Sequence, residues 1–491
     1  MQALTDIERL SALDDARLRA LRGALQAARY DGDTIAEGER IAPGPLDAVR
    51  LPFVHAAWSG DRTPARALAL LFSYDAAVPE HLVTAALGED LTRALRDVGA
   101  LVAEGDALRS LVRVTPFFDL HLVSDPLHCG AEAVMGPGPT TMELARLLPD
   151  RGPARVLDVG CGAGTLALLA ASRGASEVVG GDISPRAIAL ARLNARLNGL
   201  DARFVESDLT AAVAGARFDL VVSQPAFIAQ PPDVASATFA HGGAMGDELA
   251  MRLISELRGV LAPGGTALVR VQSATRPKAP LHARVRAALG DDALSVLVLA
   301  ARSIGPDHFS IGYASLVDPS LGPAWREAAL RYRAHLRAMG IEEFTDAVIS
   351  VRAERDAGYT VTLPMNGLAG FDAGALSALQ SALSLAVRGD DALLDARVRA
   401  NPTVTWIEER DRPDSSRAPR WVARHRERSF ADRELSEATW VLLGMLDGAP
   451  RVREAVASWA EACGAAPEEV RAQVLGFVRE SLARGLLVPA A

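Results

Sequence analysis

The segment RVLDVGCGAGTLALLAA places Asp158 near the end of an apolar run and Gly160, Gly162 and Gly164 in a turn that leads into a helical pattern. Glycines belong where the backbone turns sharply and must approach a ligand too closely for a Cβ. The spacing discriminates between ligands. A pyrophosphate-binding fingerprint reads G-x-G-x-x-G, whereas this turn reads G-x-G-x-G preceded by an acid, which suits a ligand with an amino group and no phosphate. Asp182, in VVGGDIS, closes the next apolar run, where a carboxylate can accept two hydrogen bonds from a ribose. Asp208, in ESDL, follows the third run and is placed to accept from an adenine exocyclic amine.

These acids need strands to carry them. From about residue 150 to 320, β-rich apolar runs (ARVLDVG, SEVVGGD, ARFVESD, FDLVVSQ, GGTALVRVQ, LSVLVLAAR) alternate with helical stretches such as PRAIALARLNARLNG. That alternation predicts an α/β fold with a doubly wound, mostly parallel sheet. The 491 residues exceed what one hydrophobic core serves. We divide the chain into a helical, winged-helix-like domain over 1–122, the α/β domain over 123–322, and an α+β accessory region over 323–409. An Arg/Pro/Ser linker over 410–429 and a winged-helix C-terminal domain over 430–491 complete it. A formal net charge of -9 argues against a dedicated nucleic-acid binder. Cys129, Cys161 and Cys463 are too few and too dispersed for a disulfide framework or a metal cluster, so no metal is expected. No apolar run reaches the roughly 18 to 20 residues of a membrane span, and the start MQALTDIERLSALDD lacks a basic head before an apolar core. A cytoplasmic protein is the expectation.

Three acids after three consecutive strands resemble the S-adenosylmethionine (SAM) site of class I methyltransferases. With VMGPGPTTMELARLL before the first strand, SQPAF after the fourth, and HGGAMGDELAMRLISELRGVLAPGGTALVRV after that, residues from about 110 to 320 resemble one family. It contains the release-factor glutamine N5-methyltransferases and ribosomal-RNA guanine N2-methyltransferases. The resemblance implies a Rossmann-like sheet with SAM as cofactor and S-adenosylhomocysteine (SAH) as product. It implies cofactor contacts from Asp158, Gly160, Gly162, Gly164, Asp182 and Asp208, with Ile183, Leu209 and Ser223 beside them and Thr141 in a Pro-rich cover.

The family motif at the fourth strand is Asn/Asp-Pro-Pro-aromatic, whose amide and proline carbonyl accept from a planar NH2 while the aromatic stacks on it. Here Gln224 replaces Asn, Ala226 replaces the second Pro, and Pro225 and Phe227 remain. Gln carries the same amide one methylene further out, so a shifted acceptor is implied. Gln224, Pro225 and Phe227 are therefore the catalytic candidates, working by positioning. His241 and His308 are candidate bases for a different acceptor atom, set against the commoner structural role of a single histidine.

The C-terminal stretch, with LDG at Leu446–Gly448 and RGLL at Arg484–Leu487, is similar to PqqD-like modules that hold a peptide by strand addition. Packing, lid or homodimer-forming roles are the alternatives. The expected function is methyl transfer from SAM to a nitrogen of a peptide or small specialised metabolite. A protein-glutamine or ribosomal-RNA N-methyltransferase is one alternative, and a SAM-binding regulator or scaffold without turnover is the other.

Overall fold

The apolar run that carries Asp158 becomes the first of five parallel strands: β1 (Arg155–Val159), β2 (Glu177–Asp182), β3 (Arg203–Glu206), β4 (Phe218–Ser223) and β5 (Leu261–Ala274). The computed structural model describes residues 4–43, 47–60, 63–126, 130–234, 237–276, 278–290, 293–354, 358–410, 419–426, 429–448 and 451–490. The five strands lie in the order β3-β2-β1-β4-β5, each neighbouring pair parallel. Helices α1 (Thr165–Ser172), α2 (Pro185–Asn198) and α3 (Glu248–Val260) join them, so the doubly wound α/β sheet expected from the alternation is present. Near-continuous apolar strands such as Val156–Val159 suit a sheet covered on both faces. The chain runs outward from β1 to β3, then returns to β4 on the other side of β1. That reversal opens a crevice beyond the carboxyl ends of β1 and β4, the place where open α/β sheets bind ligands.

Local chemistry fixes the helix starts. α1 begins at Gly164, whose φ of 83° is left-handed and where a Cβ would meet Ala191 and Phe204 at 3.1 Å. α2 has Ser184 as its cap, accepting from the Ala187 N–H at 3.3 Å, then Pro185 in the first turn and Gly199 beyond its end.

The chain divides into two compact units. The first takes in 1–145, 151–289 and 303–346. Its N-terminal helices share one apolar core with α2, in which Leu18, Leu25 and Leu68 stand with Leu190, Leu193 and Leu197. A polar seam supplements that core. Asn194 donates to the Val123 carbonyl at 2.9 Å and accepts from the Val123 N–H at 2.7 Å, while Asn198 does the same with His121 at 2.8 and 3.0 Å. Residues four apart on a helix are about 6 Å apart along its axis and residues two apart on a strand about 6.6 Å. Two asparagines thereby pair with the edge of the strand Leu120–Ser124 as a neighbouring strand would. The helices within 1–122 thus share their core with the unit that contains the sheet.

The helix Pro323–Ala338 also belongs to this unit. Its Tyr332 and Leu336 pack with Phe309, Phe344 and Ile228, and Phe309 stacks on Phe344 at 4.1 Å.

The second unit takes in 146–150, 290–302 and 347–491. Thr360–Pro364 runs parallel to Val296–Ala300, and Val398–Ala400 pairs antiparallel with Leu487–Pro489. Arg420–His425 is the middle strand of a three-stranded antiparallel sheet between Val404–Glu409 and Arg433–Leu435. This strand lies within the stretch 410–429, which the sequence suggested as a linker. Val422 and Ala423 are buried, so short apolar content outweighs the flanking charges, while 411–418 and 427–428 lie outside the described residues. Helices Glu437–Gly448, Val452–Cys463 and Pro467–Ala483 complete this unit around Leu446, Trp459 and Val478. Among the described residues no helix is long and apolar enough to cross a membrane.

Candidate active site

Backbone geometry brings the first three expected groups together. Gly160, Gly162 and Gly164 have φ of 70°, 53° and 83°, so the turn after β1 is left-handed at alternate residues. It folds back on β2, with the Gly160 and Cys161 N–H groups donating to the Gly181 carbonyl at 2.8 and 3.0 Å. Asp182 stitches the same turn from the other side. Its Oδ2 accepts from the Gly162 N–H and its Oδ1 from the Ser184 N–H, each at 2.9 Å. Lone pairs remain on both oxygens for further donors.

Asp158 is buried and accepts one hydrogen bond, from the Ala167 N–H at 2.9 Å. Burial pushes its carboxyl up to about 7, partly offset by that bond and reinforced by the Asp182 charge. Asp182 is raised in turn by burial. Two carboxylates with raised affinity for protons, and no cation paired with them among the described residues, form a site that favours a positive ligand. Next to them Ile183 is 63% exposed, an apolar face beside a ribose-competent carboxylate. Burial and the two carboxylates raise the Cys161 thiol, so it stays protonated. Cys129 lies outside the described residues, Cys463 is exposed, and no metal-holding group of His, Cys, Asp or Glu occurs among the described residues.

Asp208 is the third of the acids singled out in the sequence. It lies in the loop beyond β3, exposed, and pairs with Arg252 of α3. The same loop is fixed by Glu256, which accepts from the Thr210 hydroxyl at 2.6 Å, and Leu209 takes a left-handed φ of 48°. The carboxylate is thus near α3 and shared with a guanidinium.

On the β4 side, Ser223 donates to the Val159 carbonyl at 2.7 Å and ties β4 to β1 at the crevice. Gln224 follows, and both ends of its amide are engaged. Oε1 accepts from the Thr141 hydroxyl at 3.1 Å, and Nε2 donates to the Thr140 hydroxyl at 2.9 Å. One Oε1 lone pair and one Nε2 hydrogen are left over. Pro225 is buried and Phe227 half-buried. The Arg270 guanidinium lies 5.8 Å from the Phe227 ring centroid. His241 is exposed, and its backbone forms a parallel bridge with Ile228. His308 is exposed on the helix Pro306–Ala314. No hydrogen bond among the described residues joins either ring to Gln224.

Sequence reasoning missed what stands behind Phe227. Arg270 is 2% exposed, donates from Nε to Glu143 at 3.0 Å and pairs with Asp346 at 3.3 Å. Gln272 donates to Asp346 at 2.9 Å and accepts from the Tyr313 hydroxyl at 3.0 Å. The available signal was LVRVQ, in which Arg and Gln alternate with valines inside a buried strand, where a charge requires partners. The loop after Phe227 is also held by Pro323–Ala338. Tyr332 donates to Gln230 Oε1 at 3.0 Å, Arg331 to the Asp233 carbonyl at 2.9 Å and His335 to the Ala244 carbonyl at 2.8 Å.

A five-stranded parallel core, a glycine turn after its first strand and carboxylates at the next strand end define the Rossmann-like methyltransferase fold. The methyltransferase small-domain profile matches residues 138–288. A Methanocaldococcus jannaschii protein named for N5-glutamine methyl transfer is 33% identical over 153 residues, covering 30% of this chain and 77% of its own. The ribosomal protein L11 methyltransferase of Dechloromonas aromatica is 31% identical over 243 residues, 45% of this chain and 76% of its own. The release factor glutamine methyltransferase of Deinococcus radiodurans is 40% identical over 136 residues. That match is 25% of this chain, and the chain spans 47% of the relative's length. The chain belongs to the methyltransferase small-domain family.

Proposed function

We propose that this methyltransferase uses SAM to methylate a nitrogen of a peptide or of a small specialised metabolite, with SAH as the co-product. The observation that carries the cofactor reading is the pair Asp158 and Asp182, raised by burial beside a left-handed glycine turn. The fit to SAM is chemical. An ammonium suits the uncompensated carboxylates, ribose hydroxyls suit the free lone pairs of Asp182, and the exposed face of Ile183 suits a purine. Asp208, shared with Arg252, would accept from the purine's amine. SAM supplies an electrophilic methyl on a sulfonium. The chain's own residues then act by placement. The remaining Oε1 lone pair of Gln224 accepts an N–H of the acceptor, and Phe227 offers a stacking face with the buried Arg270 guanidinium 5.8 Å from its ring centroid.

Two features support an acceptor other than a release-factor glutamine. Gln224 stands where the family motif has Asn, and its amide is already half committed to Thr140 and Thr141. The C-terminal helices would hold a peptide acceptor if their PqqD-like resemblance is functional. The activities for which the relatives are named favour a second reading, methylation of a protein glutamine or of another ribosome-associated substrate. A SAM-binding regulator is separated from both by turnover. Incubating the protein with methyl-labelled SAM and lysate, peptide or metabolite fractions, with mass spectrometry of label and SAH, decides among them. Tight SAM binding without SAH formation in any fraction would sink the enzyme reading.

A further inference from the structure

The segment from Val134 to Glu143 is fastened at both ends, and its middle passes over the glycine turn. At one end, Val134 exchanges backbone and side-chain hydrogen bonds with Asp125 at 3.0 and 2.9 Å, and Arg186 grips Asp125 through two bonds of 2.6 and 2.8 Å. The strap then runs close to Leu120–Ser124, for a Cβ on Gly136 would fall 2.6 Å from Ser124 Oγ. Over the turn, the Met135 carbonyl and a Val134 methyl lie 3.9 Å from where a Gly162 Cβ would stand. At the far end, Gln224 holds Thr140 and Thr141, and Arg270 holds Glu143. Arg186 belongs to α2 beside Asp182, and Arg270 belongs to β5, so both walls of the crevice fasten the strap.

Gln224 supplies the only fastening that comes directly from the methyl-transfer motif among these contacts. Its extra methylene has a use: the amide reaches two hydroxyls at once, donating to one and accepting from the other. Thr141 donates because Gln224 Oε1 can only accept, and its Oγ1 accepts in turn from the Gly138 N–H at 3.3 Å. We propose that Gln224 is a latch for the cofactor as well as a contact for the acceptor: it closes the strap over the glycine turn, and SAM or SAH leaves only when that amide lets go. The latch rests on the SAM reading given above. It makes Gln224 a positioning residue that couples the acceptor side of the crevice to cofactor residence.

The test is SAH release, followed by stopped-flow displacement with excess SAM, in the full chain. Gln224→Met keeps the side-chain length without either hydrogen bond, and the Thr140→Val/Thr141→Val pair removes the latch from the other side. Losing two hydrogen bonds should speed release roughly 10- to 100-fold in each variant. The combined variant should release no faster than either, because both remove the same contact. Hydrogen exchange without ligand gives a second readout: amides of 134–142 should exchange faster in Gln224→Met, with β1 and β2 unchanged. Wild-type release rates in both variants, or effects that multiply in the combined variant, would overturn the latch while leaving SAM binding intact. A wild-type protein that binds neither SAM nor SAH would instead overturn the cofactor reading, and the latch with it. Should one variant fail to fold, the other decides.

Discussion

At Asp158 the chain holds a carboxyl near 7 that unfolds to a group near 3.8. Between those values the native protein binds more protons than the unfolded one, so stability falls as pH rises from about 4 to 7 and then levels. A bound ammonium reverses the balance by favouring the carboxylate. We therefore expect SAM binding near pH 6 to release a proton, read by calorimetry in two buffers of different ionisation enthalpy, and Asp158→Asn to erase that release. Asp182→Ala should abolish measurable SAM binding with the circular dichroism spectrum intact, because two ribose bonds of about 1.5 to 3 kcal/mol each are lost. It also frees the Gly162 N–H. Retained affinity in that mutant would remove Asp182 from the site. Gln224→Asn restores the family letter but withdraws the amide from both threonines. A displacement of about 1 Å can cost ~100-fold, so turnover of the protein's own acceptor should fall by that order once labelled SAM has identified it. The glycine turn, Asp158 and Asp182 were legible in the sequence because backbone sterics and strand ends leave a local trace. The partners of Gln224 were not, since Thr140 lies 84 residues upstream and no periodicity links the two.

Among the elements, the strands and helices of the sheet were legible because hydrophobic runs alternate with 3.6-residue patterns, and the parallel, doubly wound character of the sheet follows from that alternation. The attachment of the N-terminal helices was not. Asn194 and Asn198 look like ordinary polar positions in ARLNARLNG, yet each is fully buried and replaces a missing strand partner. Their value comes from a strand about 70 residues earlier in the chain, which one-dimensional patterns do not see. Asn194→Ala should cost about 3 kcal/mol, as it leaves the Val123 N–H and carbonyl and the Ala163 carbonyl unpaired in the interior. Urea unfolding followed by fluorescence measures it. A loss below 0.5 kcal/mol, about the size of a surface substitution, would mean that water or rearrangement satisfies the seam. The strand Arg420–His425 was hidden for a related reason, because two arginines and a histidine are interleaved with only two buried apolar residues.

Across the whole molecule, the second unit sets a limit on dissection. Removing 430–491 would take away Leu446, Trp459, Val478 and Leu487, leaving Val398, Val404 and Ala423 without most of their core. It would also strip Val398–Ala400 of its paired strand. We expect the truncated chain to lose ordered structure beyond residue 347, visible as rapid proteolysis there. A trimmed protein that resists protease would show that the terminal helices only decorate that unit. The first unit has its own constraint in time. Arg270 is set in the sheet, but its counter-charge at Asp346 lies about 75 residues further along and the passage to it includes residues of the other unit. A ribosome adding roughly 5 to 20 residues per second needs about 4 to 15 s to deliver that aspartate. For that interval the nascent chain holds a guanidinium with only Glu143 against it, so strand β5 should be the last of the five to seat, and a chaperone's opportunity on this protein falls there.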